Sequence, residues 1–572
     1  MTDLSWLDAH DGAQLFGAHG RHVPVTLQRL RHARVLWLNR RAAAADPVHA
    51  APGGTSEAYE AHLLATCAYA MAEPDNAAWA DGFDPADRIV AHADRYGGAG
   101  IGLNGGSGRA AVIGAYLVKG VGRTPLVSVR TDAAHASGGA YLEEAVRETM
   151  VAEVVRAEFP HAAVPVLAII DTGLVQHWAH DGKIERRVLV VRPCFVRPAH
   201  YVRATAYMSG NPAEGAADSE RVLHMFRASE RLLGKADFHA RYRMLWVRWA
   251  EQLAYGFIHR IVHGSNTMSN ICFDGKMLDF GATSSVPSWA DAATVLARQS
   301  FDDLRRLAPQ QLRTHAYFFG RYLDAGLADP AALDALHGDI DHAFRTGTVT
   351  EMLRLAGIDR ATAGAQARAG AHWWPLAHRL IGICQRERLD LIDAVPAGAA
   401  PWDIDKVWQS DVPPHLHPLR DALERIVPPG ARDLAARRSV LLATGRPGLY
   451  RETARRAIFR ALDPSAAGRE PERERIERFI ASGVAANRRD AHCELPDAAC
   501  AGFAVGDAAS YALFRHEDGT LCAVDEDAAG ASHAIAGLTP SSLRFVDAER
   551  APFEGAVALS GAYDVEEDHA CV

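Results

Sequence analysis

The chain has little of what marks several common protein classes. Its eight cysteines, Cys67, Cys194, Cys272, Cys384, Cys493, Cys500, Cys522 and Cys571, form no C-x-x-C pair and no zinc-binding spacing, so neither a disulfide framework nor a zinc site is expected. They read as reduced, mostly buried thiols, Cys571 included, rather than as redox groups. No apolar run approaches the about 18 residues of a membrane span. The first residues, MTDLSWLDAHDGAQLFG, carry early acidic groups and no long apolar core, which predicts no secretory signal and a cytoplasmic location. No stripe of one charge sign is present: 61 basic and 70 acidic residues are interspersed, for a net charge of -9, and nucleic acid is not an expected partner. There is no internal repeat. What remains is a chain of 572 residues, 48% hydrophobic and 23% charged, long enough to bury a large core and to hold two or more domains. Oligomeric state is not legible in it.

The stretch YGFIHRIVHGSNTMSNICFDGKMLDFGATSS, Tyr255 to Ser285, organises the rest. Helix signals fade at His263-Gly264, a polar loop follows to Asn270, and Ile271, Phe273, Met277 and Leu278 flank Asp274-Gly275, a two-residue hairpin signal. The second strand ends at Asp279-Phe280-Gly281. Asn270 and Asp279 are nine residues apart, so a hairpin would bring an amide and a carboxylate together. Neutral and anionic oxygens side by side suit Mg²⁺ held against nucleotide phosphates, as the catalytic-loop Asn and the D-F-G Asp hold it in kinases. Alone, D-F-G is only a hairpin with a polar end; His-Gly, Asn and hairpin in register make it specific.

Upstream, seven of the fourteen residues from Tyr96 to Arg109, YGGAGIGLNGGSGR, are glycine, a backbone able to lie close against a phosphate or simply a mobile loop. An apolar run, Ala110 to Val118, predicts a strand ending in Lys119, followed by the turn-rich Gly120 to Pro125. Leu142, Val146, Met150 and Val154 recur at four-residue steps, predicting a helix from Tyr141 to Phe159 stopped by Pro160. Glu148 projects from its small and apolar face and requires a cation, for which Lys119 is the nearest strand-borne choice. The competing reading is a solvated helix face, with Arg147 and Arg156 as ordinary surface charges. Strands are also expected at Val166 to Ile170 and Arg187 to Val196, with Arg192 and Arg197 at the second strand's end suited to a triphosphate or, equally, to the surface.

These signals predict an α+β protein. Residues 1–90 form an N-terminal helical segment, including a helix at Ser56 to Ala72; 91–205 form a small α/β lobe; 206–470 form a helical lobe with the metal site and core tryptophans Trp246, Trp249, Trp373 and Trp374. A charged stretch, Arg469 to Arg478, precedes a small β-rich domain over 485–572, with strands at Ser510 to Phe514 and Leu521 to Val524.

Taken together, Gly106-Ser107-Gly108-Arg109, LVKGVGRTP from Leu117 to Pro125, Arg147-Glu148, and HGSNTMSN followed after Asn270 by Asp279 resemble the SelO (selenoprotein O, YdiU) family of pseudokinase-like protein adenylyltransferases. The similarity spans about Tyr96 to Ser285, a third of the chain. It implies a protein-kinase-like two-lobed fold that binds ATP in a flipped orientation and moves AMP to a protein or peptide acceptor. By this resemblance Gly106, Gly108, Arg109, Lys119, Ser137, Gly138, Arg192, Arg197 and Asp279 line the nucleotide, Glu148 orients Lys119, and Asn270 and Asp279 hold Mg²⁺ or Mn²⁺. A SelO-like branch is associated with maturation of microcin-type peptides.

The chain departs from that pattern. Gly-Ser-Gly-Arg stands for G-D-G-R, Ser137-Gly138 for an Asp-Gly, and two intervals are compressed: Arg109 to Lys119 and Arg192 to Arg197. Ser269 occupies the place of the Asp that serves as proton acceptor. A general base contributes about 10² to 10⁴-fold, whereas positioning and charge neutralisation supply most of phosphoryl-type transfer. Loss of the base is therefore compatible with transfer, and it fits an acceptor that is already anionic, a carboxylate. The alternatives are a catalytically inactive ATP-binding pseudokinase scaffold and a small-molecule phosphotransferase of the aminoglycoside-kinase type, which Ser265 in place of that family's catalytic Asp disfavours.

Overall fold

The computed structural model describes residues 22–44, 55–73, 77–98, 103–178, 180–209, 213–286, 289, 291–293, 304–385, 388–390, 403–443, 446, 449, 451–463 and 471–487, with five strands between Ala498 and Val546. The protein is α+β. Its main sheet is antiparallel, built among the described residues from nine strands: β1 (His22–Leu30), β2 (Arg34–Leu38), β3 (Tyr69–Ala70), β4 (Phe83–Arg95), β5 (Gly106–Ile113), β6 (Tyr116–Lys119), β7 (Ala140–Tyr141), β8 (Ala168–His177) and β9 (Ile184–Pro193). The order is β2-β8-β9-β6-β5-β4-β1-β3, with β7 added to β9, and the sheet curls into a half-barrel.

Several boundaries differ from the sequence reading. The N-terminal segment, expected to be helical, supplies β1 and β2; β1 alternates buried Val25 and Leu27 with exposed Pro24 and Thr26, the period of a strand with one face covered. The helix at Ser56 ends at Cys67 rather than Ala72. The run Ala110 to Val118 is not one strand but the hairpin β5-β6, turned at Gly114, whose φ is 58°. Lys119 closes β6 opposite Val190 of β9. The strand must end there, because Gly120 has a φ of 103° and a Cβ would lie 2.3 Å from the Val188 carbonyl oxygen. Gly106 to Arg109, read as loop, are the first half of β5; residues 99–102 of the same stretch lie outside the described residues.

One face of the sheet carries helix α2 (Leu142–Glu158), after α1 (Ser56–Cys67) in the chain. Nearly all of α2 is buried, including Arg147, Glu148, Glu153 and Glu158, so the solvated-face reading fails for it. It is enclosed because helices from the far end of the chain cover its outer side. The core that holds Val146, Met150 and Val154 also holds Ile458, Ile476, Phe479 and Ile480. The helical part comprises α3 (Ala213–Leu233), α4 (Lys235–Ile258), α5 (Leu304–Tyr322), α6 (Pro330–Leu355) and α7 (Trp373–Cys384), around a core with Trp246, Trp249 and Trp373 buried and Trp374 at its rim. Helices α8 (Arg451–Leu462) and α9 (Glu472–Asn487), expected to end that part or to lie in a charged linker, instead belong to the sheet's outer layer. Glu472 takes ion pairs from Arg34 and Arg186, and Arg473 pairs with Glu60 at 2.9 Å.

The last unit is an antiparallel five-stranded sheet: Ala498–Val505, Ser510–His516, Leu521–Glu526, Ser532–Ala534 and Arg544–Val546. Cys571 lies outside the described residues. Cys67, Cys194 and Cys272 are buried thiols and Cys384 a half-buried one, none of them in a disulfide; burial pushes the Cys67 thiol up, away from its reactive thiolate form. No helix among the described residues is long and apolar enough to cross a membrane.

Candidate functional site

The site begins where a strand end meets a helix. Lys119 at the end of β6 and Glu148, in the second turn of α2, meet at 2.8 Å between Nζ and Oε2, with the Glu148 side chain 1% exposed. Arg192 of β9 donates to the other carboxylate oxygen at 2.6 Å. A buried carboxylate is thus held from both sides by cations, which offset the cost of taking it out of water. Lys119 also donates to Glu144 Oε1 at 2.9 Å, and Arg109 makes a two-pronged pair with Glu144 at 2.9 and 3.1 Å. Sequence reasoning missed Glu144, although it lies four residues before Glu148 and therefore on the same helix face.

Charge governs the titration of this cluster. Burial and Arg109 both disfavour the Lys119 cation, but Glu144, Glu148 and Asp279 outweigh them and raise its pKa above the ordinary lysine value. Burial alone would raise Glu144; Arg109 and Lys119 reverse that and hold it well below the usual carboxylate range. Asp279 behaves the same way, burial pushing up and Lys119 with Arg109 pulling it lower.

Asp279 arrives from the helical part. Helix α4 presents Gln252, which donates to the Ala162 carbonyl at 2.9 Å and the Gly275 carbonyl at 3.1 Å, and Arg248, which donates to the Asp274 carbonyl at 2.7 Å. These bonds hold the hairpin from behind. Its turn has three residues, not two: Gly275 N–H returns to the Cys272 carbonyl, Cys272 N–H pairs with the Lys276 carbonyl, and Gly275 adopts a φ of 93°. Ile271 and Met277 bridge, and Leu278 N–H bonds to the Asn270 carbonyl at 3.1 Å, so Asn270 and Asp279 leave the hairpin at one end. Asp279 sits at φ 60° and ψ 72°, a left-handed conformation unusual for a residue with a Cβ, and its Oδ1 lies 3.9 Å from Lys119 Nζ. What holds that backbone is Arg147, the residue before Glu148, whose guanidinium donates to the carbonyls of Phe280 at 3.1 Å, Gly281 at 3.0 Å and Thr283. Burial brings Arg147 down to about 10, still charged near neutrality. One helix therefore fixes both the strand lysine and the Asp279 loop through adjacent residues.

The loop before the hairpin is held mainly by uncharged groups, with one guanidinium, Arg197, on the Ser269 carbonyl. His263 Nε2 lies 2.9 Å from the Leu278 carbonyl and its Nδ1 3.3 Å from Ser265 N–H, which assigns the proton to Nε2; burial lowers its pKa, keeping the ring neutral. Gln311 of α5 accepts from Met268 N–H at 2.6 Å and donates to the Asn266 carbonyl at 3.0 Å. Asn270 donates through Nδ2 to the Ser265 carbonyl at 2.9 Å and to Ser265 Oγ at 3.1 Å, leaving its amide oxygen as the acceptor for a cation. Ser269, buried, shares a hydrogen bond of 2.8 Å with Thr267 Oγ1.

Other expected nucleotide contacts serve the protein itself. Arg197 is 6% exposed; it donates to the Ser269 carbonyl at 2.6 Å, stacks on Tyr96 and Phe195, and lies 3.7 Å from buried Asp94, which also meets His200 at 2.9 Å. The structure places it as a tie between the loop and β4, a role its position in the sequence does not reveal. A Cβ at Gly106 would lie 2.4 Å from the Asp94 carbonyl oxygen, and one at Gly108 2.7 Å from Val127 Cγ2. Gly138, at φ 70°, would put a Cβ 2.0 Å from Arg123 N, and Ser137 Oγ receives Tyr141 OH at 2.9 Å; this turn brings the Gly139 carbonyl to Arg109 at 3.1 Å.

Among the described residues no group of three or more His, Cys, Asp or Glu side chains could hold a metal ion. Mg²⁺ needs no such cage when one carboxylate and an amide oxygen are completed by phosphates and water; Asn270 and Asp279, at one end of the hairpin, are residues of those two kinds. No protein-family model matches the chain, and no curated protein matches its sequence.

Proposed function

We propose that the sheet with α2 and the helices α3 to α7 are the small and large lobes of a protein-kinase-like fold, and that the protein is an ATP-dependent, SelO-like nucleotidyl transferase moving AMP to a protein or peptide acceptor, as a cytoplasmic enzyme. The observation that carries this reading is the meeting of Lys119, Glu148 and Asp279, contributed by a strand, a helix and a hairpin end. Phosphate groups are bound by such a lysine, and Asn270 and Asp279 would hold the Mg²⁺ that neutralises their charge. In the reaction an acceptor oxygen attacks the α-phosphorus, the α–β anhydride bond breaks, and pyrophosphate leaves. A carboxylate acceptor requires no proton acceptor, which suits the uncharged Ser265 and Ser269. The same two serines favour a second reading, an ATP-binding scaffold without transfer, because the loop offers neither carboxylate at these positions.

The test is incubation with Mg²⁺ and ATP labelled at the α-phosphate or, separately, at the γ-phosphate, using a panel of proteins and peptides with free or amidated C-termini. Label should pass from the α position only, and Asp279→Ala should abolish it. Transfer from the γ position would make the protein a phosphotransferase, and ATP binding without transfer from either position would make it a scaffold.

A further inference from the structure

Arg109 and Lys119, the cations suited to an anionic ligand, already hold an anion. Glu144 receives both guanidinium nitrogens of Arg109 and the Lys119 ammonium, at 2.9 to 3.1 Å. It resembles Glu148 in its partners but not in its setting. Glu148 is 1% exposed and locked between Lys119 and Arg192, whereas the Glu144 side chain is 27% exposed and lies in the first turn of α2. A carboxylate at that edge can turn into water by side-chain rotation alone, without moving the helix. The charge balance points the same way. Arg109, Lys119 and Arg192 face Glu144, Glu148 and Asp279, cation for carboxylate. With all three carboxylates in place the cluster has no positive excess to offer a polyphosphate.

We propose that Glu144 is a resident anion that occupies the polyphosphate position in the unliganded protein and is displaced when the ligand binds. The inference rests on the nucleotide reading above. Binding then exchanges one set of charge-assisted hydrogen bonds for another. The apparent affinity is lowered by the fraction of molecules in which Glu144 has swung away. Glu144 thereby selects for ligands with enough charge to displace it: a triphosphate competes well, a monophosphate poorly.

The experiment measures binding of tripolyphosphate and of Mg²⁺·ATP by calorimetry, with thermal melts, in wild type, Glu144→Gln, Glu144→Asp and Lys119→Met. Glu144→Gln should bind tripolyphosphate on the order of tenfold more tightly than wild type, and inorganic phosphate should gain measurable affinity. Without ligand it should melt earlier, and the ligand should raise its melting temperature more than it raises that of wild type. Glu144→Asp, which keeps the charge but shortens the reach, should fall between, and it carries the comparison if Glu144→Gln does not fold. Equal or weaker binding in these variants, while wild type binds ATP in a Lys119-dependent way, overturns the displaced-anion role and makes Glu144 a fixed orienting group. Absence of ATP and tripolyphosphate binding in every protein overturns the nucleotide reading itself, and this inference with it.

Discussion

The two ends of the candidate site are built from different chemistry. Around Lys119 the side-chain contacts are mainly between charges: Arg109, Lys119 and Arg192 against Glu144, Glu148 and Asp279, with one bond from Arg109 to the Gly139 carbonyl. Around Ser269 the contacts are hydroxyls, amides, a neutral imidazole and backbone carbonyls, and the cation Arg197 donates to a carbonyl there. Neutral hydrogen bonds contribute about 1 kcal/mol each, whereas breaking a buried ion pair costs about 3–5 kcal/mol. The charged end is thus expensive to change, and it holds the residues to which the proposed function assigns the phosphates. The neutral end is cheap to change, and it is there that the carboxylate expected for hydroxyl activation is missing. On the proposed function, binding and acceptor activation would rest on separate physical supports.

The largest expected effect comes from putting charge into the neutral end. If the acceptor is a hydroxyl, Ser269→Asp restores a proton acceptor and should speed AMP transfer by about 10² to 10⁴-fold. If it is a carboxylate, the new anion repels it in a water-poor site and transfer slows. Rates on hydroxyl-bearing proteins and on free and amidated peptides decide between them. The next effect removes charge from the other end. Glu148→Ala leaves Lys119 and Arg192 buried without their shared partner, and unfolding by urea should show a loss of about 3–5 kcal/mol. An unchanged midpoint would mean that the two ends are not held differently after all.

The smallest effect separates the ends by pH. The depressed Glu144 and Asp279 contribute stability above the unfolded carboxylate pKa of about 4, lost only as pH falls through their lower folded values. The loop side responds earlier. Burial lowers the pKa of His263; it brings His315, which touches Met268, down to about 3. Below the unfolded histidine pKa of about 6.5 the unfolded chain takes up protons that these rings refuse, so stability falls from there downward. Urea midpoints should therefore drop between pH 7 and 5, where the carboxylates are still ionised, and the drop should be smaller in His315→Phe. An identical pH slope in the two proteins would assign the loss elsewhere.

What was legible in the sequence was what local pattern controls. The four-residue apolar steps gave α2, the side of Glu148 followed from its neighbours, and the Asn270 to Asp279 spacing followed from the hairpin dipeptide. The hairpin's turn was misjudged by one residue because Asp274-Gly275 serves equally as the end of a three-residue loop. The rest depended on partners distant in the chain. Strand β1 is defined by its pairing with β4, and β2 by its pairing with β8. Arg147 looked like a surface charge until the carbonyls from Phe280 to Thr283 were seen to lie beneath it. No periodicity in residues 451–487 could tell that their apolar faces belong to α2.

That last packing has a consequence for how the protein is made. Glu158 at the end of α2 is buried against Arg446, at 2.8 Å, and Arg446 also binds the carbonyl of Asn487 at 3.0 Å. A chain leaving the ribosome from its N-terminus will have completed the sheet, the glycine-rich strand and the whole Asp279 hairpin well before these residues appear. Until then α2 shows an uncovered apolar side and a carboxylate without its cation. The charged end of the site is consequently among the last parts of the first 487 residues to become rigid, although its side chains are encoded before residue 280.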